Sequence, residues 1–376
     1  MSRQVPHMAA DSDIQRIVRL TPLADVLNSF QTSIEPVAPR EENLAAALGF
    51  TLAADVALEE RKPAVALALR DGFAVRSETT LDASSYAPVP LIPAPVRVSL
   101  GEPLPDNADA VAGLDAVNLR EGLAEILTPL APGDGVLTAG ADAEPGVLRL
   151  AGAKLRRIDV ALMAALGIER VTIRVPRLRV VDTAGTEITQ AAAQLIAGAI
   201  QSEGGVVQSE RGSLDAALDQ DSVDALVAIG GTGSGRNDAS VRTLARLGRV
   251  AFHGIGIMPG ETTGVGFVGP RPVLLLPGRL DAALAGWLTV GRRLLARLCF
   301  RLVEEQPFLA ELSRKVASPL GLAEVVPVRR RLSNIEPLAS GYLSPQALAR
   351  SDGWILVPAD SEGYAAGTKV PVRPWP

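Results

Sequence analysis

A glycine-rich run in the second half of the chain has the clearest chemical meaning. It follows five apolar residues, 225–229, that are typical of a buried strand, and a helix pattern begins directly after it at Ala239. A turn of this kind leaves backbone N–H groups unpaired and lets an anion approach the main chain. A tight turn alone would need fewer glycines. We therefore predict a phosphate or oxyanion site made by Gly230, Gly231, Thr232, Gly233, Ser234, Gly235 and Arg236.

Charged side chains near this run each allow two interpretations. Asp238 can cap the helix predicted over 239–247, or it can hold a magnesium ion beside a phosphate. Glu187 can be an ordinary first-turn carboxylate, or it can face the ligand from the end of a strand. Arg236 and Arg279 can clamp phosphate or form surface salt bridges. The run is not a Walker A loop, because no Gly-Lys-Ser/Thr follows it.

Alternating strand and helix patterns over residues 178–305 predict the framework that would hold these side chains. The order of the patterns predicts a mostly parallel sheet with helices on both faces, which makes three layers. Ligands of such sheets bind beyond the carboxyl ends of the strands. We expect three loops to meet there, namely 183–189, 230–238 and 277–279.

The rest of the chain divides into further modules, so we expect a multidomain α/β protein. Helix patterns include one from Arg40 to Leu48 that ends at Gly49. Short apolar runs separated by Pro, Gly and Asp are typical of β modules. The expected parts are 1–20, a flexible N-terminus; 21–50 with 151–177, a helical linker and dimer domain; 51–150, an all-β domain; 178–305, the α/β domain; and 306–376, a small C-terminal β-barrel.

Composition narrows the possible partners and compartments. A net charge of −5 and a pI near 5.3 argue against bulk binding to nucleic acid or to anionic membranes. Cys299 is the single cysteine and lies in an apolar helix pattern, so we expect a buried, inert thiol and no disulfide. Two histidines, His7 and His253, are too few for a histidine-rich metal site, and we expect His253 to be structural. No signal-peptide or membrane-spanning pattern is present, which favours a cytoplasmic protein.

Seven short motifs make the chain similar to the molybdopterin molybdenumtransferase family, to which the gephyrin E domain also belongs. The similarity covers roughly residues 22–373. Each motif alone is weak, but all of them occur in the family's order across separate modules. The motifs are Arg70-Asp71-Gly72-Phe73-Ala74-Val75, the stretch 101–111, Gly140-Ala141-Asp142, Ala184-Gly185-Thr186-Glu187, the run 230–238, Met258-Pro259-Gly260-Glu261 and Leu276-Pro277-Gly278-Arg279-Leu280.

The resemblance implies a fold and an activity. It implies a molybdopterin-binding α/β domain that inserts molybdate into adenylylated molybdopterin, with magnesium assisting, and releases AMP. It also implies a homodimer in which the α/β module of one subunit faces the β module of the other. Carried over motif by motif, the catalytic residues are Asp71, Glu187 and Asp238, Asp238 is the metal ligand, and the glycine run, Pro259, Gly260, Pro277, Gly278 and Arg279 bind substrate.

Several positions of the family motifs are substituted in this chain. Before Asp71, the family's Asp and Ser are Ala66 and Ala68, and both lysines of Lys-Pro-Gly-Lys are Met258 and Glu261. A carboxylate in place of an ammonium beside a phosphate reverses a contact that contributes on the order of 1–3 kcal/mol. An alternative is therefore a catalytically degenerate paralogue that binds or carries molybdopterin for a client molybdoenzyme.

Overall fold

The computed structural model describes residues 15–120, 123–219, 222–301 and 307–376. The chain divides into two compact units. One unit comprises the described residues of 15–54, 151–161 and 169–376, and the other comprises those of 55–150 and 162–168. His7 and most of the N-terminus that we expect to be flexible lie outside the described residues.

Short strands and helices make up both units. The strands of the described residues are β1 (Arg40–Asn43), β2 (Thr51–Leu52), β3 (Val56–Leu58), β4 (Leu67–Ala68), β5 (Gly72–Val75), β6 (Val89–Pro90), β7 (Val96–Val98), β8 (Ala110–Gly113), β9 (Val117–Arg120), β10 (Leu123–Ile126), β11 (Val136–Leu137), β12 (Gly146–Arg149), β13 (Arg170–Arg174), β14 (Arg177–Asp182), β15 (Val206–Arg211), β16 (Ala225–Ile229), β17 (Arg249–His253), β18 (Ile257–Met258), β19 (Gly264–Val268), β20 (Arg271–Leu276), β21 (Phe308–Glu311), β22 (Val316–Ala317), β23 (Ala323–Arg330), β24 (Ile335–Pro337), β25 (Gly353–Val357), β26 (Gly363–Tyr364) and β27 (Lys369–Val372). The helices are α1 (Leu23–Ser33), α2 (Arg157–Ala165), α3 (Glu187–Ser202), α4 (Leu214–Leu218), α5 (Ser240–Leu247), α6 (Leu280–Gly286), α7 (Arg292–Leu298) and α8 (Pro345–Ala349). A π-helical turn, Trp287–Gly291, joins α6 to α7. Within the described ranges, no helix has the length and apolar character needed to cross a bilayer.

The main sheet of the first unit has six strands in the order β15-β14-β16-β20-β19-β17. The first four strands are parallel, β19 runs antiparallel to β20, and β17 runs antiparallel to β19 and therefore in the direction of the first four. The central strand β16 is buried along its whole length, because it is apolar and has a hydrogen-bonded neighbour on each side. The predictions of a mostly parallel sheet and of its central strand are confirmed. The hydrophobic pattern missed β15, because this edge strand is polar and mostly exposed.

Helices cover both faces of this sheet. On one face, Ile196 of α3 and Leu294 of α7 pack in one core with Val227 of β16. On the other face, Leu214 of α4 and Leu244 of α5 pack in a second core with β14, β16 and β20. The predicted three layers are thereby confirmed. Helix α1 also joins the first core, so it is part of the α/β packing.

The helix predicted from Arg40 to Leu48 is wrong. Its first residues form β1, which pairs antiparallel with β13, and only Leu44–Ala47 make a short 3-10 turn. The segment is rich in Glu, Leu and Ala, but helix propensity is a weak preference that tertiary pairing overrides. Here Arg170 of β13 donates hydrogen bonds to Glu41 at 3.1 Å and to Asn43 at 3.2 Å.

The described residues of the second unit form small antiparallel sheets. One sheet has the order β7-β5-β8, another has the order β6-β10-β9, and β4 and β3 pair with β11 and β12. Phe73, Ile126 and their apolar neighbours fill its core. This strand content agrees with the all-β module expected over 51–150.

Residues 307–376 form a further β module within the first unit. Its longest strand, β23, pairs with β24 and β25, and it also pairs in parallel with β18. The apolar side chains of β23, β25 and β27 fill its core. The pairing with β18 attaches this module to the segment between β17 and β19, which continues into Pro259 and Gly260 of the candidate site.

The single cysteine provides a test of the α/β core. Cys299 is fully buried, as expected, and burial raises the pKa of its thiol. Only the thiolate reacts readily with disulfide reagents. We expect the folded protein to react with a chromogenic disulfide reagent at pH 8 at least about tenfold more slowly than the denatured protein. Equal rates would contradict the buried position.

Candidate active site

Three loops meet at the carboxyl edge of the main sheet, as predicted. Strands β14, β16 and β20 are adjacent and parallel, and they end at Asp182, Ile229 and Leu276. The N–H of Thr183 donates to the Ile229 carbonyl at 3.1 Å, and the N–H of Gly230 donates to the Leu276 carbonyl at 2.9 Å. These bonds continue the ladder by one residue and bring the loop starts together.

Glycines allow this close approach. Gly230 and Gly231 have φ values of 101° and 72°, a region that favours glycine. A Cβ on Gly231 would lie 2.4 Å from the Ser240 hydroxyl oxygen. A Cβ on Gly278 would lie 3.6 Å from the Cα of Gly230, in ordinary contact. The glycine run thus passes directly beside the start of α5. Gly278, in the loop that follows β20, lies against Gly230 at the beginning of the run.

Three consecutive carbonyl groups of the run are bound by protein side chains. The amide nitrogen of Gln15 donates to the carbonyls of Gly231 at 3.0 Å and Gly233 at 2.8 Å. The carbonyl of Thr232 lies 2.9 Å from His253 Nε2, which must donate because a carbonyl only accepts. His253 therefore braces the loop, in agreement with the structural role expected for it.

The N–H groups of the same run are unoccupied. Among the residues that the structure describes, nothing accepts from the N–H groups of Gly231, Thr232, Gly233, Ser234, Arg236 and Asn237. Backbone groups in this state attract an anion, because hydrogen bonds to a charged acceptor are strong and need no rearrangement of the loop. The N–H groups that the predicted anion site requires are therefore present in the loop.

The start of helix α5 differs from expectation. The N-cap residue is Ala239, without a side-chain hydrogen bond, so the prediction that Asp238 caps the helix is wrong. Asp238 Oδ2 instead accepts from the N–H of Gly235 at 2.8 Å, because the chain bends back inside the run. The first-turn N–H groups of Val241 and Arg242 donate to Gln15 Oε1 at 3.0 and 3.1 Å. The helix end is thus occupied by a side chain.

Glu187 lies at the first position of α3 and is exposed to solvent. The preceding loop is organised by a residue that sequence reasoning missed. Asp182, at the end of β14, is 3% exposed and accepts from the N–H groups of Ala184 at 3.2 Å and Gly185 at 2.8 Å. Thr186 then caps α3. An Asp at the end of an apolar strand is the signal that could have identified this turn.

Arg279 is held in a fixed position by its neighbours. Its guanidinium donates to both oxygens of Asp281, at 3.1 and 2.6 Å, and its charge lies 5.2 Å from the centre of the Tyr342 ring. The hydrogen bond with Asp281 raises the pKa of Arg279. Asp281 is 3% exposed and also accepts from the N–H of Leu343 at 3.1 Å. Tyr342 and Leu343 belong to the C-terminal module, so sequence spacing alone gave no signal for them.

Arg236 differs from Arg279 in its surroundings. It is exposed, and no carboxylate or other partner contacts its guanidinium among the described residues. An arginine of this kind can turn toward a bound anion without first breaking an ion pair. Of the two predicted phosphate clamps, Arg236 is therefore the one whose charge is available.

The segment around Pro259 and Gly260 lies against the start of α6. Gly260 has a φ of 116°, and a Cβ there would lie 3.0 Å from the Ala282 carbonyl oxygen. Its N–H donates to Glu261 Oε2 at 3.1 Å, and the Glu261 charge contributes to raising the pKa of Arg279. The structure therefore brings Gly260 near the loop that carries Pro277, Gly278 and Arg279.

Asp71 belongs to the second unit and is exposed there. Its Oδ1 accepts from the N–H of Leu100 at 2.8 Å, which leaves Oδ2 without a partner among the described residues. The neighbouring Gly72 has no room for a side chain, because a Cβ would lie 1.9 Å from the Ala112 carbonyl oxygen. Asp71 is thus presented from a tightly fixed turn.

No cluster of three or more His, Cys, Asp or Glu side chains that could enclose a metal ion occurs in the described ranges. Asp238 Oδ1 accepts no hydrogen bond from described residues, so one carboxylate oxygen remains available beside the loop. Magnesium is commonly held by one or two carboxylates together with phosphate oxygens. The donors present therefore fit a magnesium ion that arrives with a phosphate.

Taken together, the sheet and its edge define an α/β protein that has a row of backbone N–H groups without partners among the described residues beyond the carboxyl ends of its strands. Family profiles match most of the chain. The MoeA N-terminal region (domain I and II) matches residues 21–167, the probable molybdopterin binding domain matches 163–297, and the MoeA C-terminal region (domain IV) matches 310–375.

Individual relatives agree with these profiles. The chain is 28% identical to molybdopterin molybdenumtransferase 2 of Mycobacterium tuberculosis, with 88% of this chain and 93% of that protein covered. It is 25% identical to the molybdopterin molybdenumtransferase of Bacillus subtilis, with 85% and 86% covered. The crystal structure of a molybdopterin biosynthesis MoeA protein from Pyrococcus horikosii is 27% identical, with a TM-score of 0.74 and 95% and 100% covered.

The chain belongs to the MoeA family of molybdenum cofactor biosynthesis proteins. The resemblance inferred from the seven motifs is thereby confirmed. The alternative of a degenerate carrier is not favoured, because the relatives that match over most of their length are named as transferases.

The contact of Asp238 Oδ2 with the glycines of the run can be tested by substitution. A Cβ on Gly233 would lie 2.8 Å from Asp238 Oδ2 and would displace that carboxylate from the Gly235 N–H. We expect Gly233→Ala to lower the free energy of unfolding by about 1 kcal/mol, measured by chemical denaturation. Gly212→Ala is the matched control, since a Cβ there meets nothing within 4 Å. Equal effects of the two substitutions would contradict the assigned contact.

Proposed function

We propose that this protein is a molybdopterin molybdenumtransferase that inserts molybdate into adenylylated molybdopterin and releases AMP. The observation that carries the proposal is the row of N–H groups in residues 231–234, 236 and 237, which have no partner among the described residues, at the sheet edge of a MoeA-family chain. The substrate contains a phosphate anhydride, and hydrogen bonds to charged phosphate oxygens are worth about 1.5–3 kcal/mol each. The fixed loop supplies such donors where the parallel strands end.

Each side chain of the edge has a role in this proposal. Arg236 would place its charge on the phosphate, because no carboxylate holds it elsewhere among the described residues. Arg279 would shape the neighbouring surface, since Asp281 and Tyr342 already fix its guanidinium. Glu187, at the exposed start of α3, would orient the substrate from the adjacent loop.

Magnesium is proposed as the ion that accompanies the phosphate. Asp238 would hold it through Oδ1, and the substrate would complete the ligand set. When bound, the ion would neutralise charge on the anhydride as AMP leaves. Asp238 Oδ2 would still accept from the Gly235 N–H while Oδ1 binds the ion. That hydrogen bond would link the metal-binding carboxylate to the phosphate-binding loop.

We further propose a cytoplasmic homodimer in which Asp71 acts in a site completed by the partner subunit. The absence of a disulfide among the described residues, with the single cysteine buried, agrees with a reducing compartment. The family resemblance supports the dimer, and cofactor made at the site would pass to a client molybdoenzyme. The acidic net charge of −5 supports neither a nucleic-acid nor an anionic membrane partner.

Substitution can distinguish the proposed roles of Arg236 and Arg279. We expect Arg236→Ala to weaken binding of inorganic pyrophosphate about tenfold in isothermal titration calorimetry, because a charged donor is lost. Arg279→Ala should weaken it less but lower the melting temperature, since buried Asp281 loses its charged partner. The reverse order of the two effects would assign the phosphate contact to Arg279.

The catalytic assignment of Asp71 is tested by AMP release. Purified protein is incubated with adenylylated molybdopterin, molybdate and magnesium, and AMP is measured. Asp71→Asn keeps an acceptor for the Leu100 N–H but removes the charge, so we expect AMP release to fall about 100-fold or more without loss of folding. Asp82→Asn, at an exposed position of the same unit, is the control and should be near wild type.

Mixing two inactive variants tests the shared site of the proposed dimer. If each site takes Asp71 from one subunit and Asp238 from the other, a heterodimer of Asp71→Asn and Asp238→Asn contains one intact site of two. Random exchange of subunits should therefore restore about a quarter of wild-type AMP release. Activity that stays at the level of the separate variants after subunit exchange would contradict a site built from two subunits.

A further inference from the structure

Gln15 makes four hydrogen bonds with the candidate site. Its amide nitrogen donates to the carbonyls of Gly231 and Gly233, at 3.0 and 2.8 Å, and its oxygen accepts from the N–H groups of Val241 and Arg242, at 3.0 and 3.1 Å. A glutamine side chain has two donor hydrogens and two acceptor lone pairs. All of them are used, and the residue is 7% exposed.

The segment that carries Gln15 is attached to the first unit at a second point. The N–H of Thr21 donates to the Gly254 carbonyl at 2.9 Å, and the N–H of Gly256 donates to the Thr21 carbonyl at 2.8 Å. The side chains of Ile17 and Leu20 lie over Gly254, where an added Cβ would be 2.5 Å from Ile17 Cγ2. The segment that places Gln15 beside the glycine run therefore lies before α1 in the chain, ahead of all the strands of the main sheet and the helices that cover it.

We infer that Gln15 is a positioning residue for the phosphate site. Its amide nitrogen binds carbonyl oxygens of the run, and the N–H groups of the run remain available to a ligand. With Gly231 and Gly233 held by Gln15, and Thr232 held by His253, the N–H groups of residues 232–234, 236 and 237 keep no protein partner in the described residues. This inference rests on the proposed function, and it adds a residue outside the family motifs of the sequence.

The same geometry argues against Gln15 as a plug that phosphate must displace. It occupies only the N–H groups of Val241 and Arg242. With Gln15 in place, the N–H groups of residues 231–234, 236 and 237 have no partner in the described part of the chain. A phosphate can therefore bind the run while all four bonds of Gln15 persist. Without Gln15, the Gly233 carbonyl loses its only partner among the described residues, and the Gly231 carbonyl keeps only the N–H of Ser240, at 3.0 Å.

The test compares full-length Gln15→Met, which keeps the side-chain length without hydrogen bonds, with Gln15→Glu, which can accept but cannot donate. Gln201→Met is the control, because Gln201 is exposed and its side chain makes no hydrogen bond. We expect both Gln15 variants to bind inorganic pyrophosphate about tenfold more weakly than wild type. Peptides covering 231–237 should exchange amide hydrogens faster. In AMP release, KM should rise about tenfold with a smaller change in kcat.

Each contrary outcome is distinct. Tighter pyrophosphate binding by either Gln15 variant would overturn the inference and make the residue a competitor of phosphate. Binding, exchange and KM equal to those of Gln201→Met would overturn it as well, as would a loss confined to kcat. If wild-type protein releases no AMP, the proposed function fails, while pyrophosphate affinity and hydrogen exchange still decide the role of Gln15. Using two variants keeps the test decisive if one of them does not fold.

Discussion

The parallel pairing of β14, β16 and β20 is the constraint on which the candidate site depends. Because the three strands run in the same direction, the loops that follow them leave the sheet at one edge. The ladder continues by one bond into each neighbouring turn, and glycines let the turns approach. Side chains that are far apart in sequence then reach the same few backbone atoms, as Gln15 and His253 do at three adjacent carbonyls.

The parts of this arrangement that follow from local pattern could be predicted from the sequence. An apolar run followed by four glycines identified β16 and its loop, and the alternation of strands and helices identified the edge where loops meet. Parts set by tertiary partners could not be predicted. The helix expected over Arg40–Leu48 became a strand because β13 pairs with it, and Asp238 turned to Gly235 because the run bends back.

Three residues that hold the loops or side chains of the site in place could not be identified from the sequence, because they lie outside the family motifs. Gln15 lies in a polar segment, Asp281 follows a motif that ends at Leu280, and Tyr342 comes from another module. Their roles depend on which segments fold against the edge. The lysines of the family motif are absent from this chain, but Arg236 has no partner among the described residues and Arg279 is fixed by Asp281. A local positive charge thus persists in an acidic protein.

The central claim is that the N–H groups of the glycine run bind substrate phosphate, and its most direct test is to observe those groups. Protein labelled with ¹⁵N-glycine can be titrated with inorganic pyrophosphate while amide resonances are recorded by NMR. We expect saturable shifts at Gly231 and Gly233, whose N–H groups have no partner in the described part of the chain. Resonances of these glycines that stay unchanged, while glycines elsewhere respond, would contradict it.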